Sequence, residues 1–366
     1  MKRIISTMLA LGMILSSAGA FAEEMTVDEA VEYALEHSVE FAKNKAETEA
    51  NKYSAMDMKA TQKSLMKNPF LEVNSFETYL SLKGYYTKAA ELALTVAQRA
   101  AEDLVQTTEN NVKNDFYTYL NSLRSVETAR ENLSISRDRL EAARVRMESG
   151  VLSKLDFQSF ELACEGAEIS FNQAERTAGY NLKKLKNTIN YTGEDELVPV
   201  GSFVYSPTEP VAPEIASEKL KSCNTYLNLQ NNFELAELRW YMASKHYSGN
   251  MNAYKVEKGT YEKAVAEFEI NKKQLELNIE NMYNSLITLG EQIEYTSRYV
   301  TYLRQVADAM YMRYEMGLVT ASDYREAQQE YFKMQNDLNE LELTYLVTNM
   351  NYESLFNNSM EDGTNE

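Results

Sequence analysis

Two cysteines, two histidines and a single tryptophan are all this 366-residue chain holds of the residues that most often build metal, redox or stacking sites. Cys164 and Cys223 lie 59 positions apart, a spacing that fits no metal or redox motif and leaves a disulfide open. His37 and His246 are far apart and in no ligand pattern, so the sequence offers no metal site and no cofactor site. Gly-rich phosphate loops, nucleophile contexts and isolated carboxylate pairs are lacking as well, and the expectation is a protein that is not an enzyme.

Helix breakers are scarce. Of five prolines, four (Pro199, Pro207, Pro210 and Pro213) fall in one stretch, and only 13 glycines are spread over the chain, so the rest is free to run as long helices. Basic residues fall short of acidic ones, 37 against 55, for a net charge of −18. Without Lys2 and Arg3 the balance is 35 − 55 = −20. That excess argues against nucleic acid and against an anionic membrane surface as partners. It fits a solvated, self-repelling helical surface, with an acidic pore interior as the sharper alternative.

The first residues read as a targeting segment. Lys2 and Arg3 precede the apolar run Ile4 to Leu15, and Ala20-Phe21-Ala22 supplies the small-x-small pattern, so a signal peptide over 1–22 and cleavage before Glu23 are expected. No cysteine follows the run to carry a lipid anchor, and no later segment is apolar enough for a transmembrane helix.

Heptad spacing dominates the remainder. Apolar residues recur in steps of three, four or seven at Val105, Val112, Phe116, Tyr119, Leu123, Val126, Leu133, Leu140 and Met147. A second run passes through Met282, Leu286, Leu289, Ile293, Val300, Leu303, Ala307, Met310 and Tyr314, and a third, in alternating steps of three and four, through Tyr324, Ala327, Tyr331, Met334, Leu338, Leu341, Tyr345, Thr348, Tyr352 and Leu355. Many of the 25 tyrosines sit on these seams, where the ring packs while the hydroxyl reaches the edge. A helix of about 64 residues would be roughly 96 Å long, far beyond what a globular core needs, so the helices must pack lengthwise.

The chain is also a duplication. Arg146 to Asp156 lines up with Arg313 to Asp323 at an offset of 167 residues, which also pairs Val126 with Ile293 and Leu133 with Val300. The predicted plan is a first repeat over 23–192, a Pro-rich linker over 193–213, a second repeat over 214–357 and an acidic tail over 358–366. Within each repeat a first helix (about 26–66 and 214–245) leads through a short irregular piece to the long helix (about 85–148 and 256–315). A turn at Gly150 or Gly317 then sends back a third helix (about 153–190 and 320–357). Phe203, Val204 and Tyr205 are a short-strand candidate in a stretch read as linker. The fold class is all-α: two repeated long antiparallel coiled-coil hairpins with little or no β-barrel.

The turns share a logic. Glycine suits the left-handed position that ends a helix. Ser153 and Thr320 are placed to cap the returning helices, with Asp156 and Asp323 in the first turn, where negative charge complements the dipole. The aliphatic pairs Val151-Leu152 and Leu318-Val319 either staple the two helices together or offer a docking surface, and the two roles are compatible.

These residues resemble the TolC-like outer membrane efflux family. Its members open with Leu-Thr-x-x-Glu-Ala-x-x-x-Ala-Leu, matched here from Met25 through Glu29-Ala30 to Ala34-Leu35. They also carry, twice, Arg-x-x-x-Gly-Leu followed by Asp, matched closely at Arg313 to Asp323 and more loosely at Arg146 to Asp156, where Val151 stands for leucine. The resemblance implies a homotrimer forming a hollow periplasmic conduit. It implies partners in a periplasmic adaptor (membrane fusion) protein and an inner-membrane pump of an efflux or type I secretion system. Docking would fall to the tips: Gly150, Val151, Leu152, Gly317, Leu318 and Val319, supported by Arg146, Asp156, Arg313 and Asp323. It also implies a place in the cell envelope or periplasm, associated with the outer membrane though without a clear membrane-spanning barrel.

One departure from the family stands out. A membrane strand needs about 9 to 11 residues, yet the first gap, Lys67 to Gly84, does not hold two strands and a turn, and the second, around Ser244 to Lys258, is shorter and polar. The expectation is a member without the full membrane barrel. The competing reading is a non-channel structural or binding coiled-coil protein of the envelope.

Overall fold

The computed structural model of the chain describes residues 22–193, 196–201, 205 and 209–356. The signal segment, apart from Ala22, lies outside the described residues, as do the acidic tail and the strand candidates Phe203 and Val204. The elements in chain order are β1 (Ala22–Met25), α1 (Val27–His37), α2 (Val39–Lys67), α3 (Phe76–Lys83), α4 (Tyr85–Glu148), α5 (Lys154–Thr188), β2 (Glu196–Pro199), α6 (Pro213–Leu220), α7 (Asn224–His246), α8 (Asn252–Glu315) and α9 (Ala321–Ser354). Both long helices run 64 residues. The expected limits of α4 coincide with those observed.

Each long helix pairs with the returning helix after it, α4 with α5 and α8 with α9, in an antiparallel hairpin. Burial follows the repeat offset closely: Val112 and Ile279, Leu185 and Tyr352, Ile189 and Phe356, and Phe157 and Tyr324 are all buried and all 167 residues apart. Of the first seam Val112, Phe116, Val126 and Leu133 are buried, whereas Leu123 is exposed, because a strict step of four after Tyr119 drifts off the contact stripe. Tyr352 shows how a seam tyrosine works, with its ring fully buried and its hydroxyl donating to the Val211 carbonyl at 2.6 Å.

Four features depart from expectation. The first helix of each repeat is split, at Ser38 and around Cys223, with no proline or glycine at either break. The split lets α1 tuck Ala30, Val31 and Ala34 against Val112, Phe116 and Leu185 while α2 continues along α4. Likewise, α6 places Ala216 and Leu220 on the core of the second repeat. Second, β1 and β2 form a two-stranded parallel pair that ties the start of the first repeat to the linker, with Met25 opposite Pro199. Third, the gap before α4 holds a helix, α3. Ser75 caps it by accepting from Thr78 N at 3.1 Å, Phe76 and Leu80 bury one turn apart, and Gly84 ends it at φ 82°. Fourth, α8 starts four residues earlier than the expected 256, after the short connection 247–251.

Among the described residues no strand lies between α2 and α4 or between α7 and α8, and no barrel closes. No described helix is long and apolar enough to cross a membrane. Cys164 is half-buried on α5, Cys223 is buried at the start of α7, and the two are not bonded to each other.

The helices lie side by side in the order α5, α4, α9, α8, with α2 extending the α5 column and α7 the α9 column. Apolar clusters join the repeats at both ends, and polar contacts join them in between. Asn121 on α4 donates to Glu340 on α9 at 3.3 Å, and Arg124 pairs with Glu342 at 2.8 Å. Gln328 bridges Asn132 at 3.1 Å and Arg139 at 2.6 Å, and Asn224 of α7 bonds Asp103 at 2.9 Å. Arg139 also stacks over Tyr311 and Tyr324 at 4.2 and 4.0 Å, and burial pulls its pKa down to about 10.

Candidate functional site

The two hairpin tips come together at one end of the molecule. Each long helix ends in the same two-bond motif. Gly150 N donates to Met147 O at 3.0 Å and Val151 N to Arg146 O at 2.9 Å; Gly317 N donates to Tyr314 O and Leu318 N to Arg313 O, both at 2.9 Å. The glycines sit at φ 72° and 73°, in the left-handed region where a side chain is strained. Nothing lies within 4 Å of where a Cβ would stand on either, so their conformation rather than crowding selects glycine.

The returning helices start on the predicted caps. Ser153 Oγ accepts from Asp156 N at 3.1 Å and donates to Asp156 Oδ2 at 2.7 Å. Thr320 and Asp323 form a full capping box, with Thr320 Oγ1 accepting from Asp323 N at 3.2 Å and Thr320 N donating to Asp323 Oδ2 at 2.9 Å. The backbone and hydroxyl donors of Thr320 hold the Asp323 carboxyl below its ordinary range. Thr26 and Glu29 build the same box at the start of α1, with the same effect on Glu29.

Each aliphatic pair divides in two. Val151 and Leu318, directly after the glycines, are 78% and 69% exposed. Leu152 and Val319 are half-buried, and Leu152 packs with Leu140 and Met147 on a small core of Ala143, Phe157, Phe160 and Ala321. The second member of the first pair therefore staples the tip, while the first member of each pair points into solvent. That core draws on both hairpins, and Phe160 and Tyr314 meet across it at 5.6 Å.

Arg146 does not serve its own turn alone. Its guanidinium reaches Glu315 of the other hairpin at 2.5 Å and lies over the Tyr314 ring at 5.4 Å, and Arg325 of α9 donates to Ser159 of α5 at 3.1 Å. Tyr314, legible in the sequence as a seam position, Glu315, legible as part of the turn, and Phe160 and the exposed Met316 are tip residues outside the site candidates. The repeat register held the signal for Glu315, since Glu148 is its equivalent.

Comparison with known proteins follows the same division. The outer membrane efflux protein family model matches residues 245–356, which hold the whole of α8 and α9. No curated protein matches the chain in sequence. In fold, the CusC channel protein superposes with a TM-score of 0.75 at 12% identity, covering 94% of this chain and 95% of that one. The VceC outer membrane protein of Vibrio cholerae gives 0.72 at 13%, covering 92% and 97%. The CmeC outer membrane channel of Campylobacter jejuni gives 0.70 at 12%, covering 93% and 87%. By sequence, the second hairpin of this chain is similar to the outer membrane efflux protein family, and over nearly its whole length the chain shares the fold of these outer membrane channel proteins.

Proposed function

We propose that three copies of this chain close into a helical conduit of an export system in the cell envelope, docking a periplasmic adaptor through the hairpin tips, with no catalytic role. The repeats 23–192 and 214–357 would each supply one wall segment. One observation carries the reading: the contact that α4 makes with the second repeat has an unoccupied counterpart on α8.

The 167-residue offset maps α4 onto α8 and α5 onto α9. On α4, Asp103 is bonded by α7, Asn132 bonds Gln328 of α9, and Ile135 packs on the core of the second repeat. Their α8 counterparts are Ile270, Tyr299 and Tyr302, and Ile270, Tyr295 and Tyr302 are exposed large apolar residues on the outer edge. Tyr295, Tyr299 and Tyr302 stack on one another at 6.0 and 6.1 Å, forming a preordered ladder. At the opposite edge, α5 exposes Leu155, Leu162 and Ile169 at heptad spacing and α2 exposes Val39, Tyr53 and Met56. The interior helix α9 exposes no large apolar residue. Two different, complementary edges generate a head-to-tail contact that closes as a ring.

The tips add a charge match. Arg146–Glu315 maps onto Arg313 and Glu148, both exposed within one chain and placed to pair between neighbours. The mapping is not uniform: Arg124–Glu342 becomes Glu291 and Glu175, so those two carboxylates must diverge across the ring contact.

The test is native mass spectrometry of the full chain. The expected species is a trimer, reduced to smaller species by Arg313→Glu and restored when Glu148→Arg is added. A chain that stays monomeric, or a double variant no better than the single one, rules the reading out. The lack of strands between α2 and α4 and between α7 and α8 favours a conduit that stops short of the bilayer. Planar-bilayer recordings should then show no conductance from the chain alone.

A further inference from the structure

At the end opposite the tips, where α2 leads to α4 and α7 to α8, the surface is unlike the rest of the molecule. Asn68 caps the last turn of α2 and folds a tight turn: Phe70 N donates to its Oδ1 at 3.0 Å and Leu71 N to its carbonyl at 3.3 Å. With Pro69 rigid between them, the turn holds Phe70 outward, 89% exposed. Met66, Val73 and, on the α7–α8 connection, Met251 are exposed beside it in sequence or at the same end.

Behind these apolar points lies an aromatic layer. Tyr79, Tyr85, Tyr86, Trp240 and Tyr247 pack half-buried around Phe76, Leu80, Met242 and Ala243. Arg239 is fixed within it, bidentate to Glu257 at 2.8 and 2.9 Å and stacked over Phe76 at 5.4 Å. The layer therefore forms a rigid platform on which the Phe70 turn is mounted.

Charge is inverted here. Within two helical turns of this end stand seven exposed lysines, Lys63, Lys67, Lys83 and Lys88 on one side and Lys245, Lys255 and Lys258 on the other. The same segments hold four acids, Glu72, Glu77, Glu91 and Glu257, so the local balance is 7 − 4 = +3 in a chain of net −18. The corresponding turns at the tips hold Arg144, Arg146, Lys154, Arg313 and Arg325 against Glu148, Asp156, Glu315, Asp323 and Glu326, a balance of 5 − 5 = 0. Both ends expose apolar side chains, but only this one surrounds them with lysines and backs them with tyrosine and tryptophan.

We propose that this end docks peripherally on the surface of an anionic phospholipid leaflet, without crossing it. The layering matches the interface: Phe70 and Met66 reach the acyl boundary, the lysines meet the headgroup phosphates, and the Tyr and Trp layer sits at headgroup depth. Electrostatic attraction and a shallow apolar insertion together supply the two signals that stable peripheral binding needs. The inference rests on the single chain and does not depend on ring closure.

Flotation of the full chain with phosphatidylcholine vesicles, and with phosphatidylcholine–phosphatidylglycerol vesicles, tests it. The expected result is flotation on the mixed vesicles, weakened by salt. Lys67→Glu with Lys255→Glu should lower that binding by about tenfold or more, and Phe70→Asp should abolish it with unchanged circular dichroism. Val151→Asp, at the other end, should leave it intact. Trp240, the only tryptophan, reports depth directly, since brominated lipid in the vesicles should quench it. No flotation on either vesicle, equal flotation on both, or an unaffected Phe70→Asp variant overturns the proposal. If Phe70→Asp instead changes the native mass without any vesicle binding, the turn belongs to a protein interface and the lipid assignment is wrong. A monomer that floats leaves this inference standing while removing the ring.

Discussion

Arg146 on the last turn of α4 and Glu315 on the last turn of α8 form an ion pair at 2.5 Å that links the two hairpins one turn above their tips. Both side chains are partly exposed, so the pair adds at most about 1 kcal/mol to global stability. Its position gives it a larger local effect, because each partner belongs to the turn whose carbonyls hold Gly150 or Gly317. Arg146→Ala is expected to leave the unfolding midpoint nearly unchanged while speeding amide exchange over 147–153 and 314–320. Exchange confined to the first tip alone would show that the pair does not couple the hairpins.

The glycine turns give a second expectation. Gly150→Ala and Gly317→Ala meet no steric obstacle, since the space beside each is open, so the cost is that of a left-handed alanine, about 1 kcal/mol each. Urea unfolding of the two variants should give similar losses. A loss several times larger at one site would mean that its turn is buried against something when the chain is assembled.

Acid weakens the second tip in a defined direction. Asp323 has its carboxyl held below the ordinary 3.8 by the Thr320 donors, so its contribution is complete above that ordinary value and disappears as pH falls through the lowered one. Asp323→Ala should therefore be less stable than the parent near neutrality and indistinguishable from it once the parent carboxyl is protonated. The comparison is urea unfolding at both pH values, and a gap that persists in acid would contradict the assignment.

Much of this fold is written in the spacing of apolar residues, but only where one rule governs. The limits of α4 were legible because a continuous seam runs into a Gly-x-x-Ser turn at one end and Gly84 opens it at the other. Helix α3 was hidden because Phe76 and Leu80 are a single turn of pattern, and its boundaries rest on the Ser75 cap and Gly84. The breaks at Ser38 and Cys223 carry no local signal: they follow from which core each half of the first helix can reach. The pairing of β1 with β2 is likewise a long-range fact. Net charge is an average over the chain, and −18 does not display the seven lysines gathered at one end. At the tips the repeat register gave both turns, while the partners across them, Arg146 with Glu315 and Phe160 with Tyr314, emerge only once the hairpins lie side by side.

Tyr352 tests how the linker is held. Its hydroxyl donates to Val211 O from a fully buried ring, tying the segment before α6 to α9. Tyr352→Phe keeps the ring and removes the bond, leaving one carbonyl without that donor, for a loss of about 1 kcal/mol. Proteolysis between residues 205 and 213 should quicken in parallel. Unchanged cleavage would show that Pro210 and Pro213 stiffen the segment unaided.

The division within each tip pair makes the docking proposal separable from folding. Val151 and Leu318 are exposed and touch little, so Val151→Asp with Leu318→Asp should cost less than about 0.5 kcal/mol in stability. Leu152 packs on Phe157 and Phe160, and Leu152→Asp should cost about 1 to 3 kcal/mol through a charge forced against an apolar cluster. If the tips dock an adaptor, pull-down with a periplasmic adaptor protein of the same cell should fail for the stable exposed-pair variant as fully as for the unstable one. Retained binding by the exposed-pair variant would place the adaptor contact elsewhere and reduce the two aliphatic residues after each glycine to turn chemistry alone.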